Sequence, residues 1–147
     1  MPFMIEQDTI KLLRECDAGT KMGVESIEDV LSHVRAPALE RRLTGSKREH
    51  ESLHREIQEQ LRRFRDEGKD PPAMASMMSE MMTKMKLTVH ESDATVADLM
   101  TDGCNMGIKS LSRYLNQYAA ADETSKTIAK RLIGLEETLA KDLRGFL

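Results

Sequence analysis

Ile10, Leu13, Asp17, Thr20, Val24, Ile27, Leu31 and Val34 recur at alternating three- and four-residue intervals. That spacing defines one stripe along a helix, predicted over about residues 8–34. No strand presents such a stripe to a core, because strand side chains alternate with a period of two. Asp17 and Thr20 interrupt the apolar face near its middle. Arg35-Ala36-Pro37 then ends the helix: proline disfavours helical geometry in the residue before it, yet fits the first turn of a new helix. A helical hairpin is the simplest outcome.

The second helix is predicted over about residues 37–67, with Leu39, Leu43, His50, Leu53, His54, Ile57, Leu61 and Phe64 on one side and Gly68 as its stop. A third stripe, His90, Ala94, Ala97, Thr101, Cys104, Ile108, Leu111, Leu115 and Tyr118, predicts a helix over about residues 88–118. Thr88-Val-His-Glu91 reads as its capping box. A fourth helix follows over about 123–144, with the wholly apolar stripe Ile128, Leu132, Leu135, Leu139, Leu143 and Phe146. Aromatic residues are 3% of the chain and Trp is absent, as expected of an all-α protein. A length of 147 residues suits one domain, 1–147, with a single sizeable core.

The link from Gly68 to Leu87 is far longer than the two to eight residues usual between neighbouring helices. It is enough to travel the length of a bundle, so helices two and three are expected to run parallel. Met74, Met77, Met78, Met81, Met82 and Met85 share one helical face within it, predicting a short amphipathic helix over about 73–86. Met77, Met78, Met81 and Met82 are candidates for a partner-facing surface, because Met adapts to irregular interfaces. Copper binding is a weak reading of that stripe, which lacks the cysteine or histidine that Cu(I) sites use.

An internal repeat supports two related hairpins: AGTKMGVESIEDVL (Ala18 to Leu31) aligns without gaps to DGCNMGIKSLSRYL (Asp102 to Leu115). Its shared glycines, Gly19, Gly23, Gly103 and Gly107, form small-residue strips at the midpoints of the first and third helices. Each costs about 1 kcal/mol against Ala inside a helix, which asks for a packing reason. Close approach of helices one and three is one such reason, and a dimer contact is the other.

Glu51-Ser-Leu-His54 has the E-x-x-H spacing that places a carboxylate and an imidazole one helical turn apart, and His50 adds a second imidazole beside it. With two hairpins and a long crossover, this motif makes the chain resemble the ferritin-like superfamily across nearly its whole length. The resemblance implies a four-helix bundle with metals at mid-bundle. It also implies Asp17, Glu51 and His54 as ligands from the first hairpin, with His50 and Glu136 as further candidates. Iron, manganese or zinc would be the metal. The second hairpin departs from the pattern: Thr101 stands where the repeat places Asp17, and the last helix has no histidine. An ion pair between Asp17 and His54 is the simpler expectation, since residues whose numbers sum to about 72 lie level in a hairpin turning near Ala36.

The net charge is −3, and the basic clusters Arg41-Arg42, Lys47-Arg48 and Arg62-Arg63-Phe64-Arg65 sit among glutamates, as on a solvated helix face. Nucleic acid and membrane are therefore not expected partners. No run approaches the roughly 18 apolar residues needed to cross a bilayer, and the start lacks the pattern of a secretory leader, so a cytoplasmic location is expected. Cys16 and Cys104 read as buried free thiols. No phosphate loop, nucleophile elbow or catalytic Cys/His signature is present. The expectation is a structural or protein-interaction module, an enzymatic role being disfavoured, that forms a homodimer and needs no cofactor; the alternative is a metal-binding or redox protein using the half-site on the first hairpin.

Overall fold

The computed structural model describes residues 2–72, 83–84, 86–87 and 89–147. Four long helices carry the fold: α1 (Pro2–Leu31), α2 (Pro37–Arg63), α3 (Asp93–Gln117) and α4 (Glu123–Leu143), followed by a 3-10 turn over Arg144–Phe146. No strand occurs among the described residues. This is an all-α four-helix bundle.

Hydrogen bonds at the two ends fix the helix directions. At one end, both oxygens of Asp93 accept from the amides of Arg35 and Ala36, at 2.8 and 3.0 Å, so α3 starts beside the α1–α2 turn. At the other, Asp8 accepts from the amide of Ala120 at 3.0 Å and the Thr9 hydroxyl accepts from that of Asp122 at 2.8 Å. The α3–α4 turn thus sits beside the start of α1. Helices α2 and α3 are parallel, as the long link requires, and each hairpin is antiparallel. The predicted Met-rich helix, with Met77, Met78, Met81 and Met82, lies outside the described residues.

Four helix ends differ from the sequence expectation; α1 stops at Leu31 rather than Val34, where the amides of His33 and Val34 bond back to the carbonyls of Val30 and Leu31 in a turn. α1 begins at Pro2 rather than near Asp8; the proline suits a first helical turn, and Phe3, Met4 and Ile5 extend the helix without joining the inward stripe, remaining exposed. α2 ends at Arg63 rather than Glu67: Arg65 takes φ 55°, and the amide of Asp66 bonds back to the Leu61 carbonyl at 3.0 Å. α3 begins at Asp93 rather than near Thr88, because Ser92 wins the capping role; its hydroxyl accepts from the amide of Thr95 at 3.1 Å.

The buried side chains fall into two apolar clusters. One gathers Leu12, Leu13, Leu53, Ile57, Leu61, Leu111, Ile128 and Leu132 toward the α3–α4 turn. The other gathers Ile27, Val30, Leu39, Leu43, Val96, Met100, Leu139 and Leu143 toward the α1–α2 turn. Between them, on α1, α2 and α4, lie the buried polar residues Asp17, Thr20, His50 and Glu136.

Candidate functional site

Polar side chains at mid-bundle form two clusters. The first is centred on Asp17, which is wholly buried. Its Oδ1 meets His54 Nε2 at 2.9 Å and accepts from Gln58 Nε2 at 2.7 Å. Its Oδ2 meets Lys21 Nζ at 2.8 Å and accepts from the Lys69 amide at 3.0 Å. The level pairing of Asp17 with His54 that the hairpin register predicts therefore exists. The last contact was not legible in the sequence: Asp17 also receives the returning chain after α2. There Gly68, at φ 91°, lies so close that an added Cβ would collide with the Asp17 carboxylate.

A ladder of charges fastens the same segment along α1. Arg14 pairs with Asp66, Lys69 Nζ meets Glu15 Oε1 at 2.6 Å, and Lys21 Nζ reaches Asp70 Oδ1 at 2.9 Å. The Arg14 guanidinium, through its hydrogen bonds, holds the Asp66 carboxyl below its ordinary range. Below it, Cys16 is wholly buried, and burial pushes its thiol up to about 12, helped by Glu15 and Asp17.

The second cluster crosses the bundle from α2 to α4. His50 Nε2 lies 2.8 Å from Glu136 Oε1, with both residues buried. Nδ1 of the same ring lies 2.8 Å from the carbonyl of Ser46. A carbonyl only accepts, so Nδ1 carries a hydrogen, and the Nε2–Oε1 contact then requires one further shared proton. Burial alone would lower the imidazole pKa, but the hydrogen bond and charge of Glu136 outweigh it and hold it above its ordinary value. Cys104, on α3, faces the same carboxylate; burial and then the Glu136 charge raise its thiol far above the ordinary range.

The sequence candidates for a metal centre are thus divided. Asp17 and His54 stand together, His50 and Glu136 stand together, and Glu51 enters no hydrogen bond or ion pair among the described residues. No group of three His, Cys, Asp or Glu side chains is arranged to hold a metal ion among the described residues.

The glycine strips border open space within the chain. Gly19, Gly23, Gly103 and Gly107 line a cavity of about 500 Å³ between α1 and α3, together with Leu99 and Leu132. Gly23 leaves room for the His50 ring, whose Cδ2 would lie 2.7 Å from an added Cβ, and a Cβ on Gly19 would meet Leu132 at 3.3 Å. A Cβ on Gly107 would touch Glu136 at 3.6 Å, whereas Gly103 faces open space. Strip against strip, helix-to-helix contact at these glycines is not what the structure shows. No helix among the described residues is long and apolar enough to cross a membrane.

Bundle and polar clusters together define a class: an all-α four-helix protein with buried acid–histidine pairs at mid-bundle. Residues 8–117 match the family described as a domain of unknown function, DUF2383, and the chain belongs to that family. No curated protein and no solved structure matches the chain.

Proposed function

We propose that this chain is a bundle of the ferritin-like kind that serves as a structural or protein-interaction module, without a complete di-metal centre. One observation carries the reading: the residues that a di-metal pattern would gather at one point are committed to two separate hydrogen-bonded clusters. Asp17 already receives His54, Gln58, Lys21 and the Lys69 amide. His50 and Glu136 already satisfy each other. Ligands held this way must each break a buried contact before binding a cation, which opposes assembly of a site.

The module is proposed to act in the cytoplasm and as a homodimer. The exposed side of the third-helix strip, where Gly103 faces open space and Met106 is exposed, is the surface offered for contact between copies. Elemental analysis and light scattering on one untagged sample test both statements. The expected outcome is no stoichiometric iron, manganese or zinc, together with a dimer mass at tens of micromolar. Stoichiometric metal that disappears in His54→Ala would overturn the non-metal reading, and a monomer mass would overturn the dimer.

A further inference from the structure

Arg41, Arg48, Arg55 and Arg62 stand at seven-residue intervals along α2, and all four are exposed. In a helix that spacing lines them up within a narrow strip about 31 Å long, drifting by about 20° per step. The strip lies opposite the inward residues Leu39, Leu43, His50, Leu53, Ile57 and Leu61, so it is the outermost face of α2. None of the four enters an ion pair among the described residues, although Arg14, Arg42 and Arg131 each have a carboxylate partner. Glu51 and Glu59 are the nearest acids on the helix surface, one turn from Arg55, and neither pairs with it among the described residues. Four unpaired guanidinium groups in one line leave a local excess of positive charge on a chain whose net charge is −3.

The first two spaces between these arginines are filled by short side chains, and the third, between Arg55 and Arg62, holds Glu59. Thr44 and Gly45 lie between Arg41 and Arg48, and Ser52 between Arg48 and Arg55. An added Cβ on Gly45 would meet nothing within 4 Å, so no intramolecular contact accounts for glycine there. Beside it a shallow depression of about 130 Å³ runs between α2 and α4, bordered by Arg41, Gly45 and Leu135. A line of charge with small residues between its members admits another backbone closely.

We infer that the outer face of α2 is a docking strip for an acidic helix of a different protein, one presenting a carboxylate about every seventh residue. The strict seven-residue spacing favours a helix over a flat anionic surface, because two helices crossing at about 20° keep just such positions in register. A second copy of this chain does not supply the match: on α1 the series Asp8, Glu15, Met22 and Asp29 has its first two acids already engaged, by the Ala120 amide and by Lys69, α3 offers Asp98 before Asn105 and Ser112 at that spacing, and α4 alternates Glu123, Lys130 and Glu137. The inference names a partner surface for the interaction module proposed above and rests on that reading.

The test uses the full chain and synthetic alanine-rich helical peptides, read by fluorescence anisotropy at low and moderate salt. One peptide carries four glutamates at seven-residue spacing; a second carries four glutamates distributed around the helix; a third replaces the spaced glutamates with glutamine. Binding of the first at least tenfold tighter than either control, weakened at least tenfold by the joint substitution Arg41→Gln, Arg48→Gln, Arg55→Gln and Arg62→Gln, is the expected result. The joint substitution lies on an exposed face, and circular dichroism verifies that the variant folds; Arg113→Gln on α3 serves as the variant that leaves binding unchanged. Equal binding of the spaced and distributed peptides, or unchanged binding by the fourfold variant, overturns the inference. Tighter binding to phosphatidylserine vesicles or duplex DNA than to the spaced peptide also overturns it, by assigning the strip to a different anion. Metal found in the elemental analysis would sink the reading above while leaving the peptide result standing, so the two failures are distinguishable.

Discussion

Two glycines of the repeat, Gly23 on α1 and Gly103 on α3, have opposite surroundings. Gly23 abuts a histidine ring held at both nitrogens, by Ser46 and by Glu136, so the ring cannot swing away from a new methyl group. Gly23→Ala should therefore cost about 1–3 kcal/mol of overpacking, against which the helix-propensity gain of about 1 kcal/mol is smaller. Gly103 faces open space, so Gly103→Ala keeps only the gain and should stabilise by up to about 1 kcal/mol. Urea unfolding of the two variants checks the opposite signs. The repeat made all four glycines visible in the sequence, but not this difference. The strip on α1 is backed by α2 through His50 at Gly23 and by α4 through Leu132 at Gly19, whereas on α3 Glu136 of α4 backs Gly107 and nothing backs Gly103.

Elements are joined by acids that accept backbone amides. Asp93 ties the α1–α2 turn to α3, Asp8 ties the α3–α4 turn to α1, and Asp17 ties the chain leaving α2 to the middle of α1. Asp17→Ala removes an acceptor from the Lys69 amide and leaves Gln58 and His54 without their carboxylate partner, while Lys21 keeps Asp70, so it should destabilise by about 1–3 kcal/mol. Amide exchange localises the effect: protection at Lys69 should fall in the variant, while that at Ala36, which Asp93 holds, should not. An unchanged Lys69 rate would mean that Asp17 does not anchor this segment. Here the sequence was legible in part. Antiparallel geometry alone brings Asp17 level with His54, because both lie in one hairpin with a short turn. The contact to Lys69 depends on how the chain leaves α2, which Arg65 and Gly68 decide through left-handed backbone that no periodicity reports. The start of α3 is ambiguous in the sequence for a similar reason: Thr88-x-x-Glu91 and Ser92-x-x-Thr95 both offer caps, and tertiary placement of Asp93 beside Arg35 selects the second.

At the scale of the whole molecule, buried polar groups stand between the two apolar clusters, and among the described residues the His50–Glu136 pair joins α2 to α4 there. Its partners could not be matched from sequence, because residues on α2 and α4 belong to different hairpins and their register depends on the long crossover. Glu136 was identifiable only as one of two adjacent acids, Glu136 and Glu137, near the middle of the last helix. A buried pair of this kind is weak evidence for stability: losing one member leaves the other without its counter-charge, whereas replacing both by apolar groups removes the desolvation cost of each. His50→Leu and Glu136→Met, made singly, should each destabilise by about 3–5 kcal/mol, and made together should be neutral or stabilising by about 1–4 kcal/mol. A double-mutant cycle in urea measures the coupling. The pH dependence supplies an independent sign. Because the folded pKa of His50 is raised above its unfolded value near 6.5, the pair contributes fully below that pH and loses its contribution as pH rises through the folded value. The wild-type melting temperature should therefore carry a downward component above about pH 6.5 that the double variant lacks. If both proteins show the same profile there, the His50–Glu136 proton is not linked to folding, and the two clusters are held together by their apolar contacts alone.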